Sequence, residues 1–123
     1  MLFRSFQYFK NALDLIPRID DQEFWIFSDS LSVAKDFASF AKLPVARTQI
    51  IQAPPDSPDA ESMLLMTLGS ALVISNSTFS WWGGYLNKDA EQIVAPKKWF
   101  KNLEDPANLI PRNWLNCESI WVN

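Results

Sequence analysis

Apolar positions along the chain fall into short runs separated by polar turns, and the runs alternate between two periods. Phe3, Phe6, Leu13 and Ile16 recur near helical spacing until Pro17, which predicts a first helix over residues 2–16. Phe24-Trp25-Ile26-Phe27 is a continuous apolar run of strand length, suited to burial on both faces. Ser28, Asp29 and Ser30 follow, and any of them can cap a second helix marked by Val33, Phe37 and Phe40 and ending near Lys42. After Pro44, residues 45–51 read as a second strand. Residues 54–58, Pro-Pro-Asp-Ser-Pro, form a stiff loop, and Asp59, Glu61, Met63, Leu64 and Leu68 predict an acid-capped helix with Gly69 as its C-cap. Ala71–Ile74 is a third strand, Ser75–Ser80 a hydroxyl-rich turn, and Trp81–Leu86 a helix in which Gly83 and Gly84 permit close packing and which Asn87 ends. Ile93-Val94-Ala95 is read as the last buried strand, stopped by Pro96. Beyond Lys97 the aromatic anchors lack a clear period.

Strands alternating with helices imply βαβ units, right-handed crossovers and a three-layer, Rossmann-like α/β domain with a mostly parallel sheet. The chain of 123 residues, 48% hydrophobic, is read as one domain over residues 1–123. Six Trp and nine Phe point first to a ring-rich core.

Composition then removes several classes of chemistry. With 11 basic and 14 acidic side chains and no charged block, the chain is a poor partner for nucleic acid. It has no histidine, hence no imidazole base and no Ser–His or Cys–His nucleophile pair. One cysteine allows no internal disulfide, disfavours a metal site and fits a reduced cytosolic compartment. No apolar stretch approaches the roughly 18 residues of a spanning helix. Arg4 and Gln7 interrupt the apolar core that a signal peptide needs. The expected location is cytoplasmic, at most peripheral to a membrane.

In an open parallel sheet, ligands bind beyond the carboxyl ends of the strands. Ser28-Asp29 and Ser75–Ser80 occupy two such ends. The second leads into a helix whose first N–H groups lack partners, so it has the features of a diphosphate seat. Neither a P-loop nor GxGxxG is present. The plainer reading of these hydroxyls and of Asp29 is helix capping.

The segment Ser75–Leu86, SNSTFSWWGGYL, resembles the signature of glycosyltransferase family 11, which contains the α-1,2-fucosyltransferases. FWIFSDS (24–30), SMLLMTL (62–68) and VAPKKWF (94–100) resemble further family segments in the same order. The resemblance implies an inverting, metal-free transferase of the GT-B type that moves fucose from GDP-fucose to a galactoside-containing glycan. This chain would be its C-terminal, donor-binding part. The implied donor-binding residues are Ser28, Asp29, Ser62, Asn76, Ser77, Thr78, Phe79 and Ser80. Trp81 and Trp82 are expected to pack the helix against the sheet.

Two departures qualify the resemblance. The family carries a His-x-Arg-Arg-x-Asp motif upstream of the matched region, whose arginine neutralises the departing diphosphate. This chain has no histidine and no Arg-Arg pair, so no catalytic residue is assigned and the isolated chain is expected to be inactive. The expectation is a fragment of a longer enzyme, or a half-enzyme served by a partner chain, with a non-catalytic nucleotide-sugar-binding or structural remnant as the alternative. Ser62 stands where the family commonly has an aspartate for the guanine edge, and losing a charge-assisted pair costs about 1.5–3 kcal/mol. Phe3, Phe6 and the Trp-rich tail are candidates for a face against the missing half.

Overall fold

The computed structural model describes residues 3–52 and 60–122. Its elements run β1 (Phe3–Arg4), α1 (Phe6–Asp14), β2 (Phe24–Phe27), α2 (Leu31–Phe40), a 3-10 turn (Val45–Arg47), β3 (Thr48–Ile51), α3 (Ala60–Met66), β4 (Ala71–Val73), α4 (Thr78–Leu86), β5 (Gln92–Pro96), β6 (Leu115–Cys117) and β7 (Trp121–Val122). β2 pairs in parallel with β3, β4–β5–β6 form a parallel three-stranded sheet, and β1 pairs antiparallel with β7. The fold class expected from the alternation of periods is therefore present, a mixed α/β chain with parallel sheets consistent with a Rossmann-like fragment.

Local chemistry explains most boundaries. The first helix starts later than the periodicity suggests, because Ser5 caps it by accepting from the Tyr8 amide at 3.2 Å. Residues 3–4 are strand instead, taken by the pairing with Trp121–Val122. Ser30, not Asp29, caps α2 by accepting from the Val33 amide. That helix ends in a Schellman motif. Leu43 N–H donates to Ala38 O, Lys42 N–H donates to Ser39 O, and Lys42 takes the left-handed conformation with φ of 55°. The strand read over 45–51 begins only at Thr48, since Val45–Arg47 coil into the 3-10 turn.

The Pro54–Pro58 loop and the Asp59 cap lie outside the described residues. Gly69 is not a left-handed C-cap; no described glycine has positive φ. The end of α3 is satisfied from a distance instead. Asn87 Nδ2 donates to Met66 O (3.1 Å) and Gly69 O (2.8 Å), while its Oδ1 accepts from the Asp89 and Ala90 amides.

Two cores flank the larger sheet. Met66, Leu72, Ile74, Ile93, Ala95, Trp99 and Trp114 form one, and Tyr8, Ala12, Val94 and Cys117 the other. The tail that looked patternless supplies core, with Trp99 and Trp114 buried, so these two rings form no exposed docking face. Ile93–Ala95 is buried as expected and β5 ends at Pro96, which still pairs with Cys117; β6, two of whose three residues are exposed, extends the sheet beyond it. Among the described residues no helix is long and apolar enough to cross a membrane.

Candidate functional site at the carboxyl ends of β2 and β4

Ser28 directly follows β2, and its hydroxyl is engaged locally, donating to Ser30 O and accepting from Ser30 N–H, each at 3.0 Å. That turn leaves Asp29 projecting between two serines. Its side chain is exposed and makes no hydrogen bond or ion pair among the described residues.

Ile74 directly follows β4, and Ser75–Ser77 turn the chain into α4. Ser77 is the N-cap, accepting from Ser80 N–H at 3.0 Å and donating to Ser80 Oγ at 2.9 Å. Ser80, 6% exposed, ties the bend together from inside by reaching Ser75 O and Ser77 O. The bend is thus rigid beneath and open above. Ser77 and Thr78 are exposed, and the Thr78 and Phe79 amides, the first two of α4, have no partner among the described residues. Such amides, with the helix dipole behind them, favour an anion.

The two strand ends meet on one cavity of about 580 Å³, whose lining includes Ser28, Ser75 and Ser80. Ser75 belongs to the same hydroxyl run as the expected site residues but was not among them. Its placement after a strand was the available signal. Asn76 is half-buried in the bend and Phe79 packs against the larger core. Of the expected site residues only Ser28 and Ser80 are on that lining: Asp29, Asn76, Ser77, Thr78 and Phe79 lie off it, and so does Ser62, which is buried within α3 with the neighbouring Glu61 exposed.

Trp81 and Trp82 behave differently from one another. Trp81 stacks on Tyr85 at 5.0 Å between centroids and donates its indole N–H to Leu109 O at 2.7 Å. Trp82 is 44% exposed. Basic groups are scarce around the bend. Arg18 lines the cavity but lies over the Phe24 ring, at the amino end of β2, and Arg47 pairs with Asp21 at 2.5 Å.

Comparison with known proteins identifies the family. The chain is 31% identical over 111 residues to the O-antigen biosynthesis glycosyltransferase WbnK of Escherichia coli, covering 89% of this chain and 35% of that protein. It is 28% identical over 116 residues to an alpha-1,2-colitosyltransferase of Escherichia coli, covering 90% of this chain and 38% of the relative. The chain therefore spans little more than a third of the length of these relatives. No solved structure gives a significant match. The sequence profile of glycosyl transferase family 11 matches residues 4–116, nearly the whole chain, and the chain belongs to that family.

Proposed function

We propose that this chain forms the nucleotide-sugar-binding part of a galactoside α-1,2-fucosyltransferase, with GDP-fucose as donor and a galactoside-containing glycan as acceptor. The observation that supports it most is the open start of α4, where the Thr78 and Phe79 amides have no partner among the described residues and the Thr78 side chain is exposed. A diphosphate there would meet the amides of Thr78 and Phe79 and the exposed hydroxyl of Thr78. Asp29 would accept a hydrogen bond from a donor hydroxyl. With Ser62 buried in α3, recognition of guanine does not rest on an acid at that position.

The donor sugar has a second reading. One relative is named as a colitosyltransferase, which favours colitose in place of fucose on the same seat. Either way, the chain holds no histidine and thus no His-x-Arg-Arg-x-Asp motif. The positive charge that a leaving diphosphate needs would have to come from other polypeptide.

Titration calorimetry tests the reading. GDP is expected to bind in the millimolar range and more tightly than UDP. Thr78→Val, which removes an exposed hydroxyl and leaves the Ser77 cap intact, should weaken GDP three- to tenfold, about 0.7–1.4 kcal/mol. Fucosyl transfer by the chain alone should be undetectable. Absence of heat at millimolar GDP would overturn the nucleotide site.

A further inference from the structure

β2 pairs with β3 and β4 pairs with β5, and among the described residues neither strand has a partner on its other side. Both of these strands line the same cavity of about 580 Å³, with Phe6, Phe9 and Leu13 of α1, and Ile16 just beyond it, also on the lining.

The backbone of each open edge is aimed at that space. Successive residues of a strand turn their N–H and C=O groups to alternate edges. Ser28 N–H donates to Ile51 O at 3.3 Å and Ile74 N–H to Val94 O at 2.9 Å, so the even-numbered residues serve β3 and β5. Trp25, Phe27, Ala71 and Val73 therefore present theirs to the open edges. Rows of unpaired backbone groups amid apolar side chains are costly, and sheets normally pair or cover them.

The two strands also run the same way. Tyr8, in the first half of α1, donates its hydroxyl to Ile74 O at the carboxyl end of β4. The chain leaving α1 sets Arg18 over Phe24, at the amino end of β2, with the guanidinium carbon 5.3 Å from the ring centroid. A helix that crosses a parallel sheet in this direction and feeds a strand is the crossover of a βαβ unit. α2, α3 and α4 each join two strands of the parallel sheets. α1 feeds β2, but the strand before it, β1, pairs antiparallel with β7 and belongs to neither parallel sheet.

We propose that the cavity is the seat of a β-strand supplied by polypeptide outside these 123 residues, inserted between β2 and β4, parallel to both, and leading into α1. The completed order would be β3-β2-inserted strand-β4-β5-β6. A strand residue occupies about 3.3 Å along the chain, 4.8 Å across the sheet and 10 Å between flanking layers, so the cavity takes roughly four residues. β2 has four residues and β4 three. Phe9 of α1 on the lining, together with Phe37 of α2 and Met66 of α3, makes the surroundings apolar, so the inserted strand should be a continuous apolar, β-branched run. Candidate polypeptide exists in the relatives, since the match covers only 35% and 38% of them. The inserted strand would end between Ser28-Asp29 and Ser75–Ser80, which holds whatever those loops bind.

Amide hydrogen exchange by NMR tests this on the chain alone and on two fusions. One fusion carries Val-Ile-Val-Ile through a short Gly-Ser linker at the amino terminus, and the other carries the same insert with proline at alternate positions. In the chain alone, the Phe27 and Val73 amides should exchange at least about 100-fold faster than those of Ile26 and Leu72 in the same strands. The apolar insert should slow Phe27 and Val73 at least tenfold, the proline insert should not, and continued protection of Ile26 and Leu72 reports an intact fold. Four outcomes would overturn the proposal: protection of Phe27 and Val73 in the monomer, meaning that the edges already meet; protection appearing only with a sedimenting dimer, meaning that a second copy fills the cavity; a small apolar ligand retained in native mass spectrometry; or no response to the apolar insert.

Discussion

At the scale of single residues, Tyr8 shows how one side chain repairs a sheet. In the β4–β5 register Ile74 C=O faces the nitrogen of Pro96, which has no hydrogen to donate. The Tyr8 hydroxyl, on a fully buried side chain, donates to that carbonyl at 2.7 Å instead. Tyr8→Phe should lower stability by about 1–3 kcal/mol, seen as a lower urea midpoint at unchanged m-value. Adding Pro96→Val, which restores a ladder N–H, should recover part of that loss. Cys117 gives a pH signature. Burial, and secondarily the charge of Glu118, raise its thiol pKa. The folded chain then holds the proton longer than the unfolded chain does. The resulting stability is present below the unfolded thiol value, about 8.5, and is lost as pH rises through the raised folded value. Cys117→Ala should flatten the alkaline limb of a stability-versus-pH curve relative to the parent; parallel limbs would show that the thiol does not contribute.

At the scale of elements, the contact of α3 with α4 depends on a missing side chain. A Cβ on Gly83 would lie 2.6 Å from Met66 Sδ and 3.2 Å from Met66 Cβ. Alanine at a helical position gains up to about 1 kcal/mol in propensity, while crowding a packed core costs about 1–3 kcal/mol. Crowding wins, so Gly83→Ala should lower the melting temperature. On a Met66→Ala background the same change should become neutral or stabilising, and additive effects would show that the two sites do not touch. The glycine pair was legible in the sequence as a close approach, but the identity of Met66 as the opposing group was not. The same holds for Asn87. Its position at the end of α4 was readable, whereas its bonds to Met66 O and Gly69 O cross 21 and 18 residues.

At the scale of the molecule, a ligand that binds only the folded chain should stabilise it by mass action. GDP at ten times its dissociation constant should add about 1.4 kcal/mol and raise the melting temperature, and UDP should do less. An equal shift with both nucleotides would place the affinity in the diphosphate alone. The amino-acid sequence by itself determined the alternation of strand and helix, the hydroxyl-rich bend after Ala71–Ile74 and the family, because periodicity, capping residues and a contiguous motif are local properties of the chain. It left β6 unread, since Leu115–Cys117 is short and two of its three residues are exposed, so it carries no apolar run. Only the tertiary structure decided which strands are neighbours, that Ser28 and Ser80 share a crevice, and that β2 and β4 leave a gap between them. Ladder hydrogen bonds use the backbone common to all residues, so the pairing of distant strands leaves little side-chain trace from which it could be read.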